Sequence, residues 1–337
     1  MLRVAVDAMG GDHAPAEVIK GALGAVDRKD DLQVFLVGSE EIIRKNIGHK
    51  PISPRVKVIH AEEVITNDEE PGLAVFSKRK SSLITAMQMV RRGEADAVLS
   101  AGNTGALMGG GLIFLERIGG IRRPALLTII PILKGEGTVL LDIGANMDAK
   151  PEHLLHYALM GQIYAREVLG KKQPRVSLLN VGSEKNKGNA QVKSAYKLMR
   201  ENVPYFMGNL EATDIFRGKT DVLVCDGFTG NVLLKTIEGL SGDLFAFLDQ
   251  EIKKDLKARD AQSAFRPVMQ KIQAVLDESE YGGSLLIGVK GACFKCHGSS
   301  REKAIRQAIL KQVYPFVSRN TNQKIEEALR QSSAGMR

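Results

Sequence analysis

An α/β fold, with helices covering both faces of a mainly parallel sheet, is predicted by three features of the chain. Short β-branched runs alternate with longer amphipathic stretches almost from end to end, and such alternation requires βαβ crossovers. The junctions are marked by glycine, 34 in all, set at punctuation points rather than in long tracts. The length, 337 residues, suits one large α/β body or about two ordinary domains, and a chain of that size needs no covalent staples.

Strands are expected at Leu2–Val6, Leu32–Val37, Val56–Ile59 and Ala97–Ser100, where β-branched and large apolar residues run together before a turn-former. Further runs of the same kind occupy Ala125–Ile130, Val139–Ile143, Val176–Leu179, Asp221–Cys225 and Ser284–Val289. Between them Ala16–Val26, Ser82–Arg92, Pro151–Leu169 and Ala190–Glu201 place apolar residues at helical spacing. Pro151 suits a first turn, where its missing N–H costs nothing, and Glu152 complements the positive helix end. From Thr236 to about Glu280 the strand rhythm stops. One helical stretch carries Ile237, Leu240, Leu244, Phe245 and Leu248, and a second carries Phe265, Val268, Met269, Ile272, Val275 and Leu276. This divides the chain into a body over 1–235, a helical hairpin over 236–281, and a return to the body over 282–337. A projecting hairpin commonly serves dimerisation. Its basic tip (Lys253, Lys254, Lys257, Arg259, Arg266, Lys271) also suits an anionic membrane surface.

Apolar residues at 44% and charged residues at 26% exclude a disordered or membrane-embedded chain. Neither the nearly apolar run Ala125–Leu133 nor the start of the chain, where Val4-Ala5-Val6 ends at Asp7, reads as a membrane span or an export signal. With three cysteines, an odd number, the expected location is a reducing cytoplasm. The net charge of +8 favours acidic partners. Nucleic acid is not expected among them, because aromatics are only 5%, with no Trp, and none interleave with basic residues.

The chemistry is expected in the loops that leave the strands. Ser100-Ala101-Gly102-Asn103-Thr104-Gly105 and Asp226-Gly227-Phe228-Thr229-Gly230-Asn231 both set G-x-T-G between a strand and a helix. Glycine permits close backbone approach, and free N–H groups at a helix start point at an anion. The repetition suggests related halves of one cleft. Asp7-Ala8-Met9-Gly10-Gly11-Asp12, Asp142-Ile143-Gly144-Ala145-Asn146 and Asn180-Val181-Gly182-Ser183-Glu184 hold equivalent places. Cys296-His297-Gly298-Ser299-Ser300 does so ahead of an expected helix over Arg301–Gln312. In open α/β sheets ligands bind beyond the carboxyl ends of strands, so these loops should converge.

Familiar machinery is missing: the P-loop, the G-x-G-x-x-G dinucleotide fingerprint and the G-x-S-x-G elbow do not occur. Cys293-Phe294-Lys295-Cys296-His297 matches the spacing of haem attachment, but it runs straight into a helix entry and reads as coincidence. His153 and His156 stand three apart on a helix without the further ligands that zinc requires. No cofactor and no metal are expected. The loops offer amides, hydroxyls and the cations Lys187, Lys235 and His297, but no nucleophile–base pair. Such a site suits a nucleophile that arrives as a ligand. Phosphate is one, and a thioester is a fitting electrophile because its thiol leaves readily near its pKa of about 8.5.

Taken together, Asp7–Pro15, Ser100–Ala106, Leu141–Asn146, Asp148–His153, Asn180–Glu184, Asp226–Asn231 and His297–Ser300 resemble the bacterial phosphate acyltransferase family of phospholipid synthesis, in that family's order and across residues 2–316. The resemblance implies reversible transfer of a fatty acyl group from acyl-[acyl carrier protein] to inorganic phosphate. The product, an acyl phosphate, would supply a glycerol-3-phosphate acyltransferase. It also implies a three-layer α/β/α body like that of phosphotransacetylase and isocitrate dehydrogenase, a homodimer, and peripheral association with the inner face of the cell membrane. Carried over by position, Lys187, Asn231 and His297 are the catalytic candidates. Asn103, Thr104, Gly227 and Thr229 would cradle phosphate, within a substrate-binding set completed by Asp7, Gly10, Gly11, Asp12, Gly102, Gly105, Asp142, Gly144, Asn146, Gly182, Glu184, Asp226, Phe228, Gly230, Gly298 and Ser299. In one respect the chain departs from that family: the hairpin tip Lys257–Ala264 is polar rather than apolar. Two alternatives remain open, a phosphotransacetylase-like enzyme acting on short acyl-coenzyme A and a non-catalytic adaptor for a carrier protein or a lipid surface.

Overall fold

The computed structural model describes residues 1–48, 51–132, 137–254, 272 and 281–335. One eleven-stranded sheet runs through them in the order β3-β2-β1-β4-β11-β10-β5-β6-β9-β7-β8. Its strands are β1 (Leu2–Asp7), β2 (Leu32–Gly38), β3 (Val56–His60), β4 (Ala97–Ser100), β5 (Ala125–Ile130), β6 (Thr138–Leu141), β7 (Val176–Asn180), β8 (Phe206–Glu211), β9 (Val222–Val224), β10 (Ser284–Ile287) and β11 (Ala292–Lys295). Nine strands were expected, and all nine are present. The two additions are β8 and β11.

All neighbouring pairs are parallel except β11–β10, β10–β5 and β5–β6. Those three reversals lie at the centre of the sheet. The β1–β4–β11 half and the β6–β9–β7–β8 half are each parallel but run in opposite directions. The sheet is therefore mainly parallel, as expected, yet it has no single carboxyl edge. Alternate side chains serve opposite cores. Val4 and Val6 pack with α1 (Ala16–Val26) and α6 (Pro151–Glu167) on one face, whereas Ala5 packs with α4 (Ser82–Arg91) on the other. Three layers result.

Helix starts follow from capping chemistry. α5 (Thr104–Gly110) begins where the Asn103 side chain accepts the Ala106 N–H at 3.0 Å. α7 (Ala190–Asn202) begins where Asn189 accepts the Val192 N–H at 2.9 Å. Capping of this kind satisfies an N–H that the helix leaves unpaired. α8 (Gly227–Lys254) runs 28 residues without interruption, through the boundary at 235 that the sequence suggested. The expected tip and second arm, 255–271 and 273–280, lie outside the described residues, as does Lys257–Ala264. Where one helix was expected over Arg301–Gln312, the chain forms α9 (Glu302–Gln307) followed by a π-helical turn over Ala308–Val313. Among the described residues, no helix is long and apolar enough to cross a membrane.

Candidate functional site

A cavity of about 970 Å³ lies across the middle of the sheet. Its floor is β5, which turns Leu126, Thr128 and Ile130 toward it, and one wall is α8, which contributes Leu234, Ile237, Ser241 and Phe245 at helical spacing. Both halves of the sheet reach it. Thr104 and the Lys295–Ser300 segment come from the β4–β11 side, and Gly144 and Asn231 from the β6–β9 side. The loops converge, although not at one carboxyl edge: they meet across β5, where the two opposed halves join.

On the β4–β11 side the strand ends form a row. Ser100 is in register with Lys295, and its hydroxyl donates to the buried Asp7 carboxylate at 2.6 Å. Burial pushes the Asp7 carboxyl above its ordinary range. Lys295 is also buried, and its ammonium donates to the carbonyls of Ala101 and Cys296. Desolvation lowers it to about 8. The loops around this row interlock: the Asp12 N–H donates to the Gly298 carbonyl at 2.8 Å, and Asn67 holds the Asp12 carboxylate at 3.0 Å. A side chain on Gly10 would meet the Asp7 carboxylate at 2.5 Å and the Gly102 nitrogen at 2.8 Å, and Gly11 sits at φ +114°. These glycines allow backbone to lie on backbone.

At the mouth, the His297 Nδ1 accepts the Ser299 N–H at 3.3 Å and lies 2.7 Å from the Ser299 hydroxyl. That leaves the proton of the neutral ring on Nε2. Desolvation, reinforced by the nearby Lys235 charge, lowers the His297 pKa. Lys235 itself pairs with Glu238 at 2.6 Å. On the opposite side, the Asn231 amide donates to the Ile143 carbonyl at 3.2 Å beside Gly144, so the Asn231 carbonyl oxygen remains available.

Several expected ligand residues turn out to build the loops. Asn103 uses its oxygen as the α5 cap and its amide on the carbonyls of Thr66, Asn67 and Glu69. Asp226 accepts both the N–H and the hydroxyl of Thr229, capping α8. Asp142 accepts the N–H groups of Leu126, Gly144, Ala145 and Asn146, and the Asn146 amide in turn holds Pro124. A side chain on Gly227 would meet the Asn146 carbonyl at 2.7 Å, and one on Gly230 would meet that of Asp142 at 1.9 Å. Gly105 backs onto Pro71, and Phe228 is exposed. The two G-x-T-G segments are thus not equivalent. The cap falls on the second residue of one and before the first residue of the other, so their likeness is in letters and not in placement.

The loop over 180–189 stands apart. Gly182 packs against the Glu184 carboxylate and the Lys187 stem, and Lys187, more than half exposed, lies 3.9 Å from Glu184. None of the three lines the cavity. Cys293 and Cys296 are buried free thiols pushed up to about 12 by desolvation. His153 accepts the Lys150 N–H as part of a helix cap. Among the described residues no cluster of His, Cys, Asp and Glu could hold a metal ion.

Lys295 is the site residue that sequence reasoning passed over. It was in view, as the fourth residue of β11 inside the apparent haem spacing. A lysine closing an otherwise apolar run at a strand end was the signal.

With this geometry in place, comparison with known proteins is specific. The profile of a family described as "Fatty acid synthesis protein" matches residues 2–324. A phosphate acyltransferase of Brevibacillus brevis is 45% identical over 334 residues, covering 99% of each chain. A phosphate acyltransferase of Desulfitobacterium hafniense is 48% identical over 310 residues, covering 92% of each. Among solved structures, a phosphotransacetylase from Streptococcus pyogenes superposes with a TM-score of 0.61 at 16% identity, over 96% of this chain and 94% of that one. A branched-chain phosphotransacylase from Enterococcus faecalis gives 0.58 at 14% identity, over 95% and 99%. These structures share the fold that the sequence predicted.

Proposed function

The chain belongs to the fatty acid synthesis protein family, and from that membership we propose that it is a phosphate acyltransferase that moves a fatty acyl group from the thioester of acyl-[acyl carrier protein] to inorganic phosphate. The observation that carries this reading is the make-up of the cavity. An apolar trough between β5 and α8 runs into an end furnished with Lys295, His297, Gly298 and Ser299. The trough suits an alkyl chain, which gains about 0.8 kcal/mol per buried methylene. The polar end suits a small anion.

A phosphate oxygen attacks the thioester carbon, the carbonyl oxygen takes the negative charge of the tetrahedral intermediate, and the C–S bond breaks. The thiolate leaves with the carrier protein and takes a proton from solvent, while the new C–O bond gives acyl phosphate. The chain's part is positioning, which is worth about 7–11 kcal/mol, and donors for the oxyanion, each worth about 3–4 kcal/mol. We assign an Nε2–H donor role to neutral His297 and an orienting role to Asn231, whose amide is fixed on Ile143. Lys187 keeps an exposed ammonium two strands from β6 in the sheet order, where an arriving anionic substrate can meet it. The net charge of +8 favours encounter with an acidic carrier protein.

Phosphate-dependent release of thiol from long-chain acyl-[acyl carrier protein] tests the reading. Equal release from acetyl-coenzyme A would favour a short-chain phosphotransacetylase, and none from any thioester would leave an adaptor. The same proposal includes a homodimer and peripheral contact with an anionic membrane face, where the acyl phosphate reaches a glycerol-3-phosphate acyltransferase. In support, Leu240, Leu244 and Phe247 form an exposed apolar stripe on α8, beside the residues that line the cavity and not among them. Sedimentation should give a dimer that Leu244→Glu dissociates, and binding to anionic vesicles should weaken with salt.

A further inference from the structure

The geometry points to Lys295 as a further catalytic residue, a buried cation whose remaining N–H binds the phosphate nucleophile. This assignment rests on the phosphate acyltransferase reading above. Lysine is rarely buried, and a buried ammonium normally has a carboxylate partner because desolvation without one is costly. Lys295 is only 7% exposed, and among the described residues it forms no ion pair. Its partners are two neutral carbonyls, Ala101 on the loop after β4 and Cys296 on the loop after β11. An ammonium has three donors. Two are fixed on those carbonyls, and one remains on a side chain that lines the cavity. An anion in the cavity supplies the missing counter-charge.

The other cations are placed differently. Lys235 is neutralised by Glu238, and Lys187 lies outside the cavity. Of the two further cations that line it, Arg301 is exposed and Lys303 half-buried, neither buried as Lys295 is. The titratable groups facing Lys295 are Asp7 from β1, Asp12 from the loop that follows it, the neutral Cys296 thiol and His297 beside it, and Lys235 from α8. Of these, Asp7 is shifted toward its neutral form by burial. Since desolvation lowers Lys295 to about 8, it is charged at neutral pH and loses its charge as pH rises through that value. Phosphate affinity should fall with it.

Phosphate saturation is measured for the wild type, Lys295→Met and Lys295→Arg, with acyl-[acyl carrier protein] as donor. We expect Lys295→Met to raise the KM for phosphate at least tenfold and to leave the KM for the acyl donor within twofold. Lys295→Arg, which keeps its charge at every working pH, should lose the fall in phosphate affinity above pH about 8. A Met variant that saturates with phosphate like wild type overturns the assignment. So does a loss that falls instead on the acyl donor, which would place the phosphodiester of the carrier's arm, rather than free phosphate, at Lys295. A measurement on the unaltered protein covers the case in which the variants do not fold. Inorganic phosphate should shield Lys295 from an amine-acylating reagent, read by peptide mass, and labelling indifferent to phosphate overturns the proposal. Shielding in a protein that releases no thiol would retain Lys295 as a phosphate ligand and discard acyl transfer.

Discussion

Two sets of glycine-marked loops in this molecule look alike on paper and are built differently. The loops after β1, β4, β6, β9 and β11 lock into one another. Gly10 lies on Gly102, Gly227 on Asn146, Gly230 on Asp142, and Asp12 is bonded to Gly298. The loop after β7 touches mainly itself: Gly182 meets Glu184 and Lys187, and Asn180 holds the Lys187 carbonyl at 3.1 Å. Glycine in the first set lets main chains stack and freezes a pocket wall. In the second it only shapes a turn. A pocket wall is pre-organised where loops are tied to each other, and a loop tied to itself is left able to respond to a ligand.

Substitutions can break that contrast. The largest effect is expected for Gly230→Ala, whose added carbon would lie 1.9 Å from the Asp142 carbonyl. It should cost about 3 kcal/mol and be visible as a lower melting temperature together with lost activity; an unchanged melting temperature would mean that the interlock yields easily. Next, Lys187→Ala should reduce kcat/KM for the acyl donor at least tenfold, about 1.4 kcal/mol, while the melting temperature stays put. A wild-type kcat/KM would place this loop outside the reaction. His297→Gln follows. Because the folded imidazole titrates below its usual range, it stays uncharged through neutrality. Acid that protonates Nδ1 removes the acceptor that holds the ring on the Ser299 N–H, so wild-type kcat at saturating phosphate dianion should drop only there, through lost positioning of Nε2–H. Gln donates without titrating, so its acid limb should flatten; an unaltered limb removes His297 from the chemistry. The smallest change is expected for Gly242→Leu. Gly242 lines the trough, with nothing among the described residues within 4 Å of an added Cβ. The variant should fold at least as stably, since Leu is the better helix former by about 1 kcal/mol. Its acyl preference should shift to shorter chains in a competition assay.

The layers were legible in the sequence because they rest on local periodicity. Ala16–Val26 is a helix to the residue, and every expected strand is present. What the chain's pattern concealed depends on pairing between distant segments. Nothing in Ala125–Ile130 reveals that it runs antiparallel to both β10 and β6, yet that reversal turns one expected rim into a trough between two halves. β11 was hidden because Ala292–Lys295 is short and ends in a lysine, and the cysteines on either side of that lysine invited a haem reading. The site loops were found by their glycines. The roles of Asn103, Asp142 and Asp226 were not, because a side chain that caps a helix and one that binds a ligand are spelled the same way.

One element ties the reaction to whatever lies beyond it. α8 is pinned at its start by Asp226, flanks the acyl trough for several turns, and continues to Lys254 as an unbroken rod about 42 Å long. The cavity takes side chains of this rod only as far as Phe245, so one continuous helix serves an interior surface along its first turns and an exterior one along its last.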